Sequence, residues 1–148
     1  MTTFELPKSA WIDEELSMLE GACRQLNERE CAPHYVDREA ERAFPRDLWR
    51  KAGEMGLPGA EVPEAYGGLY GSLAHDAVIA YQGALAGVDG WGGGLHNSIM
   101  IPYLIHYGSE DQKRDILPRM ISGELIGAIA MIEPGAGTNG RSFTRWIT

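Results

Sequence analysis

The stretch Gly108-Ser-Glu-Asp-Gln-Lys-Arg-Asp-Ile-Leu-Pro-Arg-Met-Ile-Ser-Gly123 carries the clearest helix signals in the chain and decides the fold class. Gly108 is a good helix stop, and Ser109 with Gln112 three residues later forms a capping-box pattern that begins the next helix. Apolar residues then recur at helical spacing, namely Ile116, Leu117, Met120 and Ile121. Ser122-Gly123 marks the end. The stretch therefore predicts one amphipathic helix with defined ends.

Four further helices are predicted upstream from the same apolar periodicity. The first runs from Asp13 to about Tyr35, the second opens at Phe44-Pro45, and the third and fourth cover about residues 72–85 and 95–107. Pro102 inside the fourth is expected to kink or divide it. We predict an all-α domain of about five helices over residues 1–122. Its predicted core contains Leu16, Leu48, Trp49, Tyr81, Leu104, Leu117 and Ile121.

Two glycine-rich stretches interrupt the helices. Residues 62–68 and 90–94 contain several glycines, which indicates sharp turning or close backbone approach. Pro63, Tyr66 and Trp91 give these stretches apolar anchors. We therefore expect ordered loops packed on the helices rather than linkers.

The run Leu125-Ile-Gly-Ala-Ile-Ala-Met-Ile132 is continuously apolar and fits either a buried strand or a short buried helix. The glycine before it and the Pro-Gly after it favour a strand. A lone strand cannot satisfy its own backbone groups. We therefore predict an orphan strand-like segment at 125–132 that is either exposed or paired with a partner.

The turn Glu133-Pro-Gly-Ala-Gly-Thr138 follows that run. A strand entering a glycine-rich turn exposes consecutive N–H groups, and such a nest can hold an anion. A plain turn explains the same residues, and local chemistry alone favours the plain turn because short glycine motifs are weak signals.

Composition excludes several classes of function. The net charge is −8 and no block or stripe of Lys and Arg is present, which argues against nucleic-acid binding. The N-terminus lacks a signal-peptide pattern, and no apolar run approaches the length of a membrane span. We expect a cytoplasmic protein without membrane contact.

The chemically reactive side chains carry no site pattern of their own. Cys23 and Cys31 are eight residues apart in one predicted helix, too far along its axis for a disulfide, so free thiols are expected. The four histidines have no second ligand at helical spacing, which argues against a metal site. Ser98 lacks the context of a nucleophile elbow.

A set of short motifs in fixed order adds a different kind of information. The motifs are Pro45-Arg-Asp-Leu-Trp-Arg-Lys-Ala-Gly-Glu-Met-Gly-Leu57, Val62-Pro-Glu-Ala-Tyr-Gly-Gly68, Gly94-Leu-His-Asn-Ser98, Tyr107-Gly-Ser-Glu-Asp-Gln-Lys113, Leu117-Pro118, Gly123-Glu124 and Ala130-Met-Ile-Glu-Pro-Gly-Ala-Gly137. In this order and spacing they resemble the N-terminal domain of acyl-CoA dehydrogenases. The resemblance covers most of this chain and well under half of a full family member.

The resemblance implies an FAD-dependent oxidoreductase of fatty acid metabolism that dehydrogenates an acyl-CoA between its α and β carbons. By resemblance, Met131, Ile132, Gly137 and Thr138 bind the flavin, and Leu95, Ile99 and Thr138 approach the substrate. The family's catalytic Glu belongs to a part that this chain does not match, so no catalytic residue is assigned. Full family members are expected to be homo-oligomers.

The resemblance weakens toward the C-terminus. Ile132 stands where the family usually has Thr, Thr138-Asn139 replaces Ser-Asp, and residues 140–145 do not follow the family pattern. Trp146-Ile-Thr148 matches a flavin-contacting motif that the family carries further along its β-barrel domain. The match arises by chance, from a frameshifted and truncated reading frame, or from a genuine second motif. We expect residues 123–148 to be the truncated start of the flavin-binding β-barrel domain. The chain is then a fragment that is inactive alone, or a non-catalytic helical interaction module.

Overall fold

A computed structural model describes residues 10–129 of the chain. Over this range the fold is helical and contains no strand, which confirms the predicted all-α class. The α-helices are α1 (Glu14–Leu26), α2 (Tyr35–Glu41), α3 (Arg46–Glu54), α4 (Leu73–Ala86), the single turn α5 (Gly93–Leu95), α6 (Ile101–Tyr107) and α7 (Glu110–Ile121). Two π-turns, Asn27–Cys31 and His96–Met100, and three 3₁₀ turns, Ala32–His34, Glu64–Tyr66 and Asp89–Trp91, connect them.

Side-chain caps fix where the helices begin. At α7 the Gln112 N–H donates to Ser109 Oγ at 3.2 Å and the Ser109 N–H donates to Gln112 Oε1 at 2.9 Å, which confirms the predicted capping box. At α4 the same reciprocal role falls to His75, whose Nδ1 accepts from the Ser72 N–H at 3.1 Å. The sequence did not predict this second box, because the usual pattern has Glu or Gln at that position.

Pro102 divides the predicted fourth helix, as expected. A proline has no N–H, so Pro102 cannot donate to the carbonyl of Ser98 four residues earlier. The backbone widens here into the π-turn His96–Met100, and the Ile101 N–H donates to the His96 carbonyl five residues back. Helix α6 then begins with Pro102 in its first turn, a position that tolerates proline because no bond within α6 itself needs that N–H.

The core consists of two groups of buried side chains. One lies where α1 and α3 meet the loops that follow α3 and α4, and it contains Cys23, Leu26, Cys31, Leu48, Ala52, Leu57 and Val88. The other lies between α6 and α7, and it contains Val62, Ile101, Leu117 and Met120. Trp49 is buried beside them and contacts the rings of Trp91 and His96.

The predicted core is confirmed in most positions and wrong in one. Leu16, Leu48, Trp49 and Leu117 are buried, and Leu104 and Ile121 are half-buried against the second group. Tyr81, in contrast, is 45% exposed. Apolar residues occur on nearly every side of α4, so periodicity could not identify the buried face. The buried residues of α4 are His75, Val78 and Gln82.

Both glycine-rich loops are ordered, as predicted. Tyr66 packs against the second core group and donates its hydroxyl to Glu110 at 2.9 Å. Trp91 packs on Trp49 with ring centroids 4.7 Å apart. The first loop is closed on itself because the Tyr70 N–H donates to the Val62 carbonyl at 2.9 Å.

The apolar segment after α7 is described up to residue 129. Residues 125–129 have no strand geometry, and the Leu125 N–H donates to the Arg119 carbonyl at 2.9 Å. Ile129 is 44% exposed, as expected for a segment without a covering layer. The remainder of the predicted strand-like run, residues 130–132, lies outside the described residues.

We predict that Gly123→Ala strongly destabilises the fold. Gly123 has a φ of +74°, and an added Cβ would lie 2.2 Å from the Trp49 carbonyl oxygen. Strain and overpacking together should lower the free energy of unfolding by about 3 kcal/mol or more, measured by urea denaturation followed by circular dichroism. The matched control is Gly21→Ala in α1, where a Cβ meets open space. This control should be stabilising by up to about 1 kcal/mol, and equal effects of the two substitutions would contradict the prediction.

Candidate functional site

A cavity of about 260 Å³ lies between α1, α4 and the turns that precede α6. Its wall is mostly apolar, formed by Cys23, Leu26, Leu57, Ile79, Ala80 and Trp91. The volume is slightly below the usual range for a complete small-molecule pocket. The cavity therefore suits part of a ligand better than a whole one.

Two glycines leave the cavity open. Gly83 on α4 and Gly94 on α5 both line it, and a Cβ added at either position would have no atom within 4 Å. Gly93 also lines the cavity, but its Cβ would lie 2.6 Å from the Trp91 ring. Gly83 and Gly94 thus set the available space, whereas Gly93 lets the indole pack closely.

The polar groups at the cavity are already hydrogen-bonded to the protein. Asn97 donates its side-chain amide to the Leu57 carbonyl at 3.1 Å, and Asn27 donates to the Gln82 carbonyl at 3.1 Å. Over residues 10–129, no buried side-chain nitrogen or oxygen lacks a partner. The interior therefore has little to offer a polar ligand, and an apolar one fits its chemistry.

An acid–hydroxyl pair lies at the edge of the cavity. Ser98 Oγ donates to Asp76 Oδ2 at 2.5 Å, and the pair is exposed. Asp76 is on α4 and Ser98 is on the π-turn before α6, so the bond joins the two walls. The run of glycines marks this neighbourhood in the sequence, yet nothing in the local pattern identified Asp76 or Ser98 as cavity residues.

Cys23 forms part of the cavity wall without nucleophilic character. Burial raises the pKa of the Cys23 thiol to about 12 and that of Cys31 to about 11. Both thiols are free, as expected. A protonated thiol is a poor nucleophile, so Cys23 contributes apolar surface to the cavity.

His96 is fully buried beside the cavity-lining residues of its turn. Its Nε2 lies 3.2 Å from the Met120 carbonyl oxygen, and its Nδ1 accepts from the Gly127 N–H at 2.9 Å. Burial lowers the pKa of His96 below its usual value. The ring is therefore neutral at neutral pH. It forms one hydrogen bond to α7 and one to the segment that follows α7.

Of the site residues that the sequence predicted, Leu95 and Ile99 lie in the described part of the chain. Leu95 is half-buried and Ile99 is 47% exposed, and neither lines the cavity. The residues between them, Asn97 and Ser98, do line it. Met131, Ile132, Gly137 and Thr138 lie outside the described residues, so their flavin and substrate roles stay predictions.

Over residues 10–129, no group of three His, Cys, Asp or Glu side chains is placed to hold a metal ion. In the same part of the chain, every helix is too short or too polar to cross a membrane.

Comparison with known proteins identifies a family that has this helical domain. The family model described as acyl-CoA dehydrogenase, N-terminal domain, matches residues 13–124. The long-chain specific acyl-CoA dehydrogenase of Sus scrofa mitochondria is 38% identical over 86% of this chain and 30% of its own length. This chain therefore spans about a third of that relative.

Solved structures agree with the sequence relatives. The acyl-CoA dehydrogenase of Geobacillus kaustophilus is 43% identical, with a TM-score of 0.82 over 90% of this chain and 35% of that one. The Bacillus anthracis acyl-CoA dehydrogenase complexed with FAD is 27% identical, with a TM-score of 0.69 over 91% of this chain and 23% of that one.

We predict an alkaline loss of stability caused by the two thiols. Their pKa values are about 12 and about 11 in the folded chain, against 9.0 for an unperturbed thiol. Because the folded values are raised, this contribution to stability is fully present below pH 9 and is lost as the pH rises toward 12. Urea midpoints measured from neutral pH upward should fall more steeply in the wild type than in a Cys23→Ala, Cys31→Ala variant. Parallel curves would contradict the prediction, since tyrosine and lysine titrations are common to both proteins.

Proposed function

The chain belongs to the acyl-CoA dehydrogenase family, and we propose that it supplies the helical domain of an FAD-dependent enzyme that dehydrogenates a long-chain acyl-CoA. The observation that carries this proposal is the glycine-opened apolar cavity between α1, α4 and the turns before α6. The chain spans about a third of the relatives that it matches. Activity, substrate and partners of the whole enzyme are accordingly part of the proposal.

An acyl tail is the ligand class that the cavity chemistry favours. Transfer of each methylene from water to an apolar environment is worth about 0.8 kcal/mol, and the wall offers aliphatic, thiol and indole surface. The cavity is too small for a complete acyl-CoA, so we assign it to the distal end of the chain. The long-chain specificity in the name of the Sus scrofa relative supports a long substrate.

We assign each part of the reaction to a group according to whether this chain contains it. Dehydrogenation removes a proton from the α carbon and a hydride from the β carbon, leaving a double bond. FAD, when bound, supplies the hydride acceptor. By family resemblance the base that takes the proton is a Glu outside the matched part, so the role proposed for the described residues is to bind and orient the acyl chain.

The flavin residues remain those predicted from the sequence: Met131, Ile132, Gly137 and Thr138. The segment 125–129 precedes these flavin residues in the chain. Within it, Leu125 and Ile126 are half-buried and Ile129 is 44% exposed. A partly uncovered apolar approach is compatible with a flat aromatic cofactor. Homo-oligomerisation and a cytoplasmic location also remain predictions, and the Sus scrofa relative is mitochondrial by name.

A chimeric enzyme tests the proposed function. Residues 1–129 of this chain would replace the matching part of the Geobacillus kaustophilus enzyme, which is 43% identical. We expect a yellow protein whose flavin absorbance bleaches when a saturated acyl-CoA is added. A folded chimera that holds no flavin, or does not bleach, would argue against the proposal and favour the alternative of a non-catalytic interaction module. The 148-residue chain alone is expected to show no turnover.

A cavity-filling substitution tests the acyl-tail assignment within that chimera. Gly94→Leu adds a side chain at a residue that lines the cavity and whose Cβ meets open space. Excluding two methylenes should lower kcat/KM for palmitoyl-CoA roughly ten-fold relative to that for octanoyl-CoA. Gly21→Leu is the matched control, since its Cβ also meets open space but lies outside the cavity. An equal loss with both substrates would contradict the assignment.

A further inference from the structure

His96 bonds to two neighbouring parts of the fold that lie 24 and 31 residues further along the chain. It stands at the start of the π-turn His96–Met100, and its ring lies edge-on to Trp49 with centroids 5.0 Å apart. Its two nitrogens bond the Met120 carbonyl in the last turn of α7 and the Gly127 N–H in the segment that follows. The ring therefore lies between a helix end and the segment that follows it, and it bonds to both.

The two partners determine the tautomer. A carbonyl oxygen only accepts, so His96 Nε2 carries the hydrogen that Met120 receives. A backbone N–H only donates, so Nδ1 is the unprotonated nitrogen that accepts from Gly127. A neutral ring in this one tautomer satisfies both bonds, and an imidazolium cannot. The lowered pKa that burial gives His96 agrees with this assignment.

We propose that His96 is a positioning residue that clamps Gly127 and thereby fixes the segment 125–129 relative to the acyl cavity. The π-turn that carries His96 also carries Asn97 and Ser98, which line that cavity. One turn of backbone thus holds the cavity wall and the segment together. Contact is tight at this point, because a Cβ on Gly127 would lie 2.7 Å from Met100 Cβ.

The consequence for cofactor binding rests on the proposed function. Gly127 precedes Met131, the first predicted flavin residue, by four positions. Four residues of extended chain span at most about 14 Å, so the clamp limits how far Met131 can lie from His96. This limit would contribute to the distance between acyl tail and flavin, through a residue that does not line the cavity.

The wild-type chain allows a direct test. In the ¹⁵N-labelled 148-residue protein, we expect a scalar coupling across the hydrogen bond between the Gly127 amide nitrogen and His96 Nδ1. We also expect pyrrole-type and pyridine-type shifts at Nε2 and Nδ1, respectively, at neutral pH. Absence of the coupling, the opposite tautomer or an imidazolium would overturn the proposal without any variant.

Two substitutions separate the clamp from simple packing. In His96→Asn, the side-chain oxygen can take the place of Nδ1 and keep the Gly127 bond. In His96→Gln, the terminal amide can take the place of Nε2 and keep the Met120 bond. Hydrogen exchange of the Gly127 amide should therefore stay near the wild-type rate in the Asn variant and rise roughly ten-fold in the Gln variant. Equal rates in the two variants, at matched global stability, would overturn the clamp.

Titration with FAD distinguishes failure of the clamp from failure of the proposed function. In the chimera that carries residues 1–129 of this chain, the Gln variant should bind FAD several-fold more weakly than the Asn variant. Equal FAD affinities despite a lost Gly127 bond would overturn the positioning role. If the wild-type chain shows the coupling but the chimera holds no flavin, the proposed function fails and the clamp stands.

Discussion

Pro102 has no amide hydrogen, so the helix that contains it cannot continue its regular hydrogen-bond ladder toward the N-terminus. The resulting π-turn, His96–Met100, rotates the side chains before the proline relative to those after it. Ile101 consequently enters the α6–α7 core, while Asn97 and Ser98 turn toward α4 and the cavity. His96, on the same turn, reaches α7 and the segment beyond it. The missing amide hydrogen of Pro102 therefore affects three features: the cavity wall, the second core group and the bond that holds the segment 125–129.

The pairing of α1 with α4 depends on polar side chains as much as on apolar ones. Asn27 donates to the Gln82 carbonyl, the Gln82 side chain donates to Glu20 at 3.2 Å, and His75 Nε2 lies 3.1 Å from Glu15 Oε1. Buried polar groups are costly unless they are bonded, so these contacts favour one register of the two helices. With that register fixed, Gly83 faces the cavity and Tyr81 faces solvent. The space proposed for an acyl tail is thus a by-product of a specific helix pairing.

In the function that we propose, this domain contributes to catalysis by placing the substrate. At the cavity, Cys23 is a protonated thiol, and Asp76 accepts a hydrogen bond from Ser98. What the domain offers is an apolar volume, a rigid turn and a segment held by His96 that leads toward the predicted flavin residues. Binding and orienting the acyl tail lower the entropic cost of bringing the reacting groups together. A helical wall can make this contribution even when the reacting groups lie in other parts of the enzyme.

The sequence alone determined the fold class, the helix boundaries around Ser109 and Gly123, the break at Pro102 and the family, because caps, glycine stops and ordered motifs are local signals. It also predicted the ordered loops through Tyr66 and Trp91. It could not decide which face of α4 is buried, since apolar residues surround that helix, nor that His75 would act as a cap. Only the tertiary structure decided that Asp76 and Ser98 line the cavity and that His96 bonds to Gly127, 31 residues away. Such contacts depend on the relative rotation of separate helices, and that rotation is set by packing among residues distant in the chain.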